Sequence, residues 1–417
     1  MIKRLAMLLI PLAILFVGVE VSLRLMPQVL PLTLLQHFQP DLRLRIAETR
    51  GLPTRNDVMG VERDDGGPLL LKYRPQTEVS KTFLDEGAVP TIVTDAQGFC
   101  NPPDAGYERA RFDIIAIGDS FTWCHSVHPA EVWPVVLARL SGRSVYNLGT
   151  PAIGLYEYLV ILRRFGLPKQ PRVVLMNVYE GNDLRDAMRY WSYRDDHAGV
   201  ATELDCSGLL CRALGSRSYV YNLLAATRVE YLQPLIAASG PARDAAFENV
   251  DTEDLRFYYT LDFGAEQVPF NLRNADRDEI AVATAMDQGA LSPSLFDAAL
   301  ETFVALAGEH GFVPVLVYSP SAHTAYADYV RFEEPELAEL MAGMSSMLRD
   351  HFRVSGERLG YHFLDLTGPL QAVIDAQGTE QARQLLYYPM SIHYSALGNQ
   401  RVAEIVDAFL RDLPAAQ

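Results

Sequence analysis

From Phe112 onward the chain alternates between two hydrophobic rhythms. Phe112–Ile117 is a short, mostly apolar run entering Gly118, which predicts a strand buried on both faces. Pro129–Leu140 then places Val132, Val135, Val136 and Leu140 on one helical face. Val145–Leu148, Val173–Val178, Val313–Tyr318 and Tyr361–Leu366 repeat the strand pattern. Leu155–Phe165, Leu295–Ala307, Pro335–Arg353 and Ala396–Leu413 repeat the helical one, with Gly398 in the first turn of the last. Strands alternating with helices predict an α/β fold: a mostly parallel five-stranded sheet covered on both faces, a three-layer α/β/α sandwich. Ligands in such sheets bind beyond the carboxyl ends of the strands.

The alternation has an interruption and a prelude. Residues 184–293 break the rhythm with Tyr190-Trp-Ser-Tyr193, two close cysteines and an acidic stretch from Glu248 to Asp278; they are expected to form an inserted cap beside the site. Residues 27–95 combine a Pro-, Leu- and Arg-rich connector with a β-rich segment ending in the turn signal Asp95-Ala-Gln-Gly98. The sheet domain itself is expected over 96–183 and 294–417.

The N-terminus has a different character. Lys3 and Arg4 precede fifteen uncharged residues, Leu5 to Val19. As a helix these span about 22 Å, short of a bilayer core of about 30 Å; extension to Leu25 reaches full length but includes Glu20 and Arg24, which would sit near an interface. No alanine occurs between Ala13 and Ala47, so no A-x-A-like cleavage site is visible. Residues 1–26 are therefore expected to be an uncleaved, single-pass signal anchor, with a cleaved signal peptide and a buried core helix as the alternatives. The basic residues before the span favour a cytoplasmic N-terminus and a main domain outside the inner membrane, in the periplasm of a Gram-negative source.

Composition narrows the function. The net charge of −16 leaves no basic footprint for duplex nucleic acid or for docking on anionic lipid by charge alone. A single apolar N-terminal stretch excludes a polytopic transporter. Four cysteines are too few for a disulfide scaffold at this length, but an even count suits an exported location. Cys206 and Cys211 are close enough to close a short loop, and Cys100 and Cys124 could form another bridge; four unpaired, buried thiols is the alternative.

The candidate chemistry lies at the predicted strand ends. Gly118-Asp119-Ser120-Phe121 follows the first strand, where a small residue lets a hydroxyl project, and the following helix N-terminus is expected to offer N–H groups to an oxyanion. Asn147-Leu-Gly149 follows the second strand and Gly181-Asn182-Asp183 the third; a backbone N–H and an amide side chain there can both donate to a developing oxyanion. His393, in Ser391-Ile-His-Tyr-Ser395, lies between the fifth strand and the last helix, and imidazole is the usual base for activating a serine. Taken singly, these four are an N-cap serine, two ordinary turns and a structural histidine.

Together, in the order Ser, Gly, Asn, His, they resemble the SGNH (GDSL-like) hydrolase superfamily over roughly 95–183 and 295–412. The resemblance implies a flavodoxin-like SGNH fold. It also implies Ser120 as nucleophile, His393 as its base, and an oxyanion hole from the N–H of Ser120, a glycine-block N–H at Gly149 or Ala152, and the side chain of Asn182. Phe121-Thr122, Trp133-Pro134, Asn147-Leu-Gly149 and His393-Tyr394-Ser395 with Gly398-Asn399 resemble the membrane-anchored bacterial branch, often encoded near cell-envelope polysaccharide genes. One departure matters. The family carries an aspartate two or three positions before the histidine, where this chain has Ser391 and Met390. That aspartate fixes the imidazole tautomer and stabilises the imidazolium. The catalytic acid is left unassigned: a backbone carbonyl can also fix a tautomer, and Asp365 at the end of the fifth strand is a further guess. The related branch usually has Arg and Gly where this chain has Cys100 and Cys124, which implies a bridge beside the nucleophile turn.

The resemblance thus implies an anchored, exported esterase or acyltransferase with no cofactor and no metal. Its expected partners are an ester substrate, such as an O-acylated carbohydrate of the cell envelope, and the inner membrane. A catalytically degenerate relative that binds glycan or a protein partner is the alternative. Cys124-His125-Ser-Val-His128 has two ligand types but no partner motif for a closed metal site. Tyr156, Tyr158, Tyr179, Tyr190, Trp191 and Tyr193 could stack on a sugar or pack a core.

Overall fold

The structure is a computed structural model that describes residues 2–26, 59–63, 69–79, 92–103, 106, 108–151, 153–187, 218–227, 257–271, 275–378, 384–389 and 391–413. The chain divides into two compact units, Met1–Asp57 with Met188–Val250 and Val58–Ala187 with Asp251–Gln417.

The larger unit is built on five parallel strands: β1 (Ile114–Ile117), β2 (Val145–Asn147), β3 (Val173–Tyr179), β4 (Val313–Ser319) and β5 (His362–Asp365). They lie side by side in the order β5-β4-β3-β1-β2. All four residues of β1 are buried, which is why this strand is a continuous run of Ile and Ala without alternation. On one face Ile114, Ala116, Leu175, Val315 and Val317 meet Trp133, Val136, Leu370, Val402 and Val406 in a single core. The helices Leu155–Ile161, Asp297–His310 and Pro335–Leu359 pack with one another and onto β4 and β5. The chain leaves β1 towards β2 on one side and returns to β3 on the other. The crevice between the ends of β1 and β3 is therefore the topological switch point, where open α/β sheets bind ligands.

Several elements differ from the sequence expectation. The helix expected over 129–140 is broken. Pro129–Glu131 is a 3-10 turn, Val132 is extended, and the helix proper, Trp133–Ser141, starts with its Trp133 N–H donating to Asn399 Oδ1 at 2.9 Å. The helix at Leu155 becomes a π turn over Leu162–Gly166. A helix over Thr367–Gln377 has no counterpart in the sequence reading; its buried residues are only Thr367, Leu370 and Ile374, too sparse for a clear period. The interruption at 184–293 does not stay apart from the sheet domain. Phe257–Asp262 and Gln267–Asn271 form an antiparallel hairpin extended by Val330–Phe332, and Tyr259, Leu261 and Phe270 join the same core as β1. The helix Ala275–Asp287 packs on Pro335–Leu359. Apart from residues 184–187 and 218–227, the earlier part of the interruption lies outside the described residues, with Cys206 and Cys211 in it.

In the prelude, the described strands pair Met59–Arg63 with Leu69–Tyr73 and Glu78–Val79 with Ile92–Val93. The turn after it is an Asp turn: Asp95 Oδ1 accepts from the N–H groups of Gln97 and Phe99, and Gly98 takes φ 87°.

In the smaller unit the described elements are the helices Ile2–Leu25 and Tyr219–Thr227. Glu20 caps the second, accepting from the N–H groups of Tyr219 (3.0 Å) and Val220 (2.9 Å) and from Ser218 Oγ (2.9 Å). Arg24 Nε also donates to Glu20, at 2.9 Å. Among the described residues, no helix is long and apolar enough to cross a membrane.

Candidate active site

Ser120 owes its position to its neighbours. A Cβ on Gly118 would run into Thr122 Oγ1 and lie 3.0 Å from the Asn177 carbonyl, so only glycine fits where the chain leaves β1. The Asp119 carboxylate accepts from Phe121 N–H at 2.8 Å, and its carbonyl accepts from the N–H groups of Thr122 and Trp123. These bonds close a tight turn over 120–126. The expected helix after the serine is not there; the next regular helix begins at Trp133.

His393 reaches the same rim from the C-terminal loop. Its Nε2 lies 2.8 Å from Ser120 Oγ, across 273 positions of sequence. Its Nδ1 lies 2.6 Å from the main-chain carbonyl of Ser391. A carbonyl can only accept, so Nδ1 carries the proton and Nε2 presents its lone pair to the serine hydroxyl. Among the described residues, the group at Nδ1 is thus a backbone oxygen, where the sequence offers no carboxylate at positions 390 and 391. Asp365 takes no part: it accepts from Arg349 Nε at 2.6 Å and from Thr367 N–H at 2.9 Å.

The loop that aims this carbonyl is tightly made. Tyr388 N–H donates to the His393 carbonyl and Ile392 N–H to the Tyr388 carbonyl, both at 2.8 Å. Ile392 has φ 56°, a left-handed conformation that costs a β-branched residue about 1–3 kcal/mol. Its side chain is buried in the main core, which offsets that cost. Gly398 and Asn399 hold the loop from below. A Cβ on Gly398 would run into the Leu386 carbonyl, and Asn399 donates to the carbonyls of Tyr394 and Ser395 while capping the Trp133 helix.

The two expected oxyanion donors fare differently. Gly149 N–H donates to Asn147 Oδ1 at 2.8 Å, so it is committed within its own turn. The glycine is there because a Cβ would lie 2.5 Å from the Thr122 and Trp123 backbone. The alternative donor, at position 152, lies outside the described residues. Asn182 follows β3, and one hydrogen of its amide goes to Asp186 Oδ2 at 2.8 Å, leaving the second available.

Three buried acids, Asp119, Asp183 and Asp186, underlie this rim. Burial pushes the Asp119 carboxyl up to about 7, and the charge of Asp186 adds to that. Burial and Asp119 push Asp183 up as well, although it accepts from Tyr158 Oη (2.7 Å) and Tyr179 N–H (2.8 Å). Keeping part of this cluster neutral limits the negative potential beneath any developing oxyanion.

Cys100 and Cys124 are joined in a disulfide that ties the 95–101 loop to the nucleophile turn. Asn147 strengthens the tie, its Nδ2 donating to the carbonyls of Thr122 (2.9 Å) and Cys100 (3.3 Å). With Cys124 bridged and His128 Nδ1 accepting from Ala130 N–H, the 124–128 run is not a metal set. Among the described residues no cluster of His, Cys, Asp and Glu could hold a metal ion. Tyr156, Tyr158 and Tyr179 are buried and hydrogen-bonded, hence core rather than a sugar platform. Tyr190, Trp191 and Tyr193 lie outside the described residues.

No family model matches the chain, and no curated protein does. Among solved structures it is similar to a lipolytic protein of the G-D-S-L family from Desulfitobacterium hafniense DCB-2, at 14% identity over 71% of this chain and 97% of that one, with a TM-score of 0.35. It is also similar to an acetylxylan esterase from Geobacillus stearothermophilus (11% identity, 73% and 94% covered, TM-score 0.35). A third is a lipase/acylhydrolase from Enterococcus faecalis (11% identity, 72% and 95% covered, TM-score 0.33).

A second polar cluster escaped the sequence reading. Glu180, the residue after β3, lies with its Oε1 3.6 Å from His323 Nε2, and Glu279 Oε2 lies 3.4 Å from His323 Nδ1. Glu279 also accepts from Ser321 Oγ (2.9 Å) and from Tyr179 Oη. Thr324 Oγ1 donates to Glu180 at 2.6 Å. Burial pushes Glu180 up to about 7 and His323 down to about 3. The only sequence signal was Glu180 itself, a carboxylate at the end of a buried strand; Glu279 and His323 come from distant segments with no motif.

Proposed function

We propose that this chain is a serine hydrolase that cleaves esters through Ser120 and His393. The observation that carries the reading is the 2.8 Å approach of His393 Nε2 to Ser120 Oγ, with Nδ1 already held by a carbonyl. His393 takes the hydroxyl proton as Ser120 attacks the acyl carbon. The oxyanion receives the Ser120 N–H and the second amide hydrogen of Asn182. His393 then protonates the leaving alcohol, and water, or an acceptor sugar in a transferase, resolves the acyl-enzyme.

We further assign the substrate to O-acyl groups on a cell-envelope carbohydrate and the protein to the outer side of the inner membrane. The N-terminal sequence supports this location, and so does the Cys100–Cys124 disulfide, since such bonds persist in oxidising compartments. The chemical test is labelling by a fluorophosphonate probe. Label on Ser120 that disappears in His393→Ala supports the hydrolase. A folded protein with no label and no turnover of short acyl esters is instead a binding module for glycan or protein. The location test is an intact mass of the mature protein from membranes, where a start after residue 20 removes the anchor.

A further inference from the structure

His393 is the third ring in a column of four. Tyr179 stacks on Phe121 with centroids 3.7 Å apart and planes at 16°; Phe121 stacks on His393 at 4.8 Å and 26°; His125 covers the other face of His393 at 3.7 Å and 20°. The column is rigid on the His125 side. His125 N–H donates to the Trp123 carbonyl at 2.7 Å, its neighbour Cys124 is bridged to Cys100, and Ser126 is left-handed at φ 64°. Trp123 makes a T-shaped contact with the His125 ring, their centroids 6.4 Å apart.

We propose that this column, and His125 above all, is a positioning device that holds the His393 imidazole on Ser120 and supports its charged form, in a loop whose two positions at 390 and 391 carry no carboxylate. The inference rests on the serine-hydrolase reading above. The Ser391 carbonyl fixes the tautomer but brings no full negative charge, so it does less for the imidazolium that forms during attack. A cation between two π-faces, each within about 6 Å, is stabilised by both ring quadrupoles. Face-to-face packing also fixes the plane of the imidazole, holding Nε2 on Ser120. Among the described residues, the titratable groups around the ring include His125 on its face, Asp119 behind Ser120, and Tyr394, whose ring makes a T-shaped contact with Phe121. His125 must itself be neutral in this role, because a second cation at that distance would repel the first.

The test compares His125→Ala, His125→Leu and His125→Phe in the full chain. Leucine covers the imidazole without a π-face; phenylalanine keeps the face without a titrating group. The first readout is the NMR titration of the His393 ring; the second is kcat and KM for p-nitrophenyl acetate across pH. Loss of one ring face should lower the His393 midpoint by about one unit in the Ala and Leu variants and reduce kcat about tenfold, with KM little changed. The Phe variant should restore both. A Leu variant that titrates like the Phe variant overturns the proposal, since cover alone would then be enough. A midpoint unmoved in all three variants overturns it as well. The NMR readout does not depend on turnover. A shifted midpoint in a protein whose Ser120 takes no fluorophosphonate label supports the stack and overturns the hydrolase reading alone.

Discussion

Two histidines in the larger unit sit among acids and hydroxyls, and the fold holds them in opposite ways. His393 is half-buried at the strand ends, with a carbonyl on Nδ1 and a serine hydroxyl on Nε2. His323 has a carboxylate near each nitrogen, at 3.4 Å and 3.6 Å, which on paper is the stronger base environment. It is 5% exposed, however, and burial holds it neutral down to about pH 3. The neighbouring carboxylate does not rescue its charge, because Glu180 is itself pushed up to about 7 by the same burial. Acid–histidine proximity is therefore a poor sign of catalysis by itself. What separates the two regions is a half-buried serine hydroxyl in contact with the ring and a one-sided demand on the tautomer.

The largest effect should fall on the first region alone. Ser120→Ala or His393→Ala should reduce ester turnover by about 10⁴-fold or more and abolish fluorophosphonate labelling, read by gel fluorescence and steady-state assay. His323→Gln should leave labelling of the folded protein intact. Labelling that survives His393→Ala and fails in His323→Gln would reverse the assignment of the two histidines.

Asn182 lies between the regions. Its neighbour Gly181 faces Glu279 and Tyr179 on the buried side, while its own amide is held by Asp186. Removing an oxyanion donor costs about 10²–10³ in kcat, so Asn182→Ala should lower kcat by that order with the melting temperature nearly unchanged. A variant that unfolds instead would mean that the amide serves the buried acids and not the rim.

The disulfide distinguishes the regions by stability. Closing a loop of sequence separation 24, the Cys100–Cys124 bridge should contribute about 3 kcal/mol, so Cys100→Ser with Cys124→Ser should lower the denaturant midpoint accordingly. Because His125 follows Cys124, labelling of Ser120 should weaken in the same variant even where it is fully folded.

How much of this was readable in advance follows from what leaves a mark on side chains. The five strands were legible because burial on both faces demands unbroken apolar runs, as in Ile114–Ile117. Ser120 and Asn182 stand out in the sequence as candidates because strand ends in such a sheet point to the ligand crevice. The group on His393 Nδ1 was not legible, because a main-chain carbonyl is present at every residue and only the left-handed turn at Ile392 aims this one. The sequence offers Gly149 or position 152 as the donor, and the Gly149 N–H is held by Asn147 while its Cβ would collide; sequence alone does not distinguish a glycine whose N–H is needed from one whose Cβ would collide. The Glu279–His323–Glu180 contacts join segments with no shared pattern, and only packing reveals them.

The smallest effect concerns how the buried region responds to pH. Glu180 goes from an ordinary carboxyl in the unfolded chain, near 4.5, to about 7 in the fold. The native state then binds the extra proton, so this residue's contribution to stability is full below pH 4.5 and falls as pH rises to 7. Asp119, raised from 3.8 to about 7, acts in the same direction from a lower starting pH. His323 opposes both: its pKa drops from 6.5 to about 3, so the unfolded state binds the extra proton and stability rises from pH 3 to 6.5. Between 4.5 and 6.5 the histidine offsets one carboxyl, and His323→Gln should remove that offset. The variant's unfolding free energy should lose an additional ~1 kcal/mol per pH unit relative to the parent over that window, measured by urea denaturation at several pH values. If instead the two proteins run parallel, His323 is charged in the fold, the cluster is a buried ion pair, and the contrast between the two histidines narrows to access to the hydroxyl.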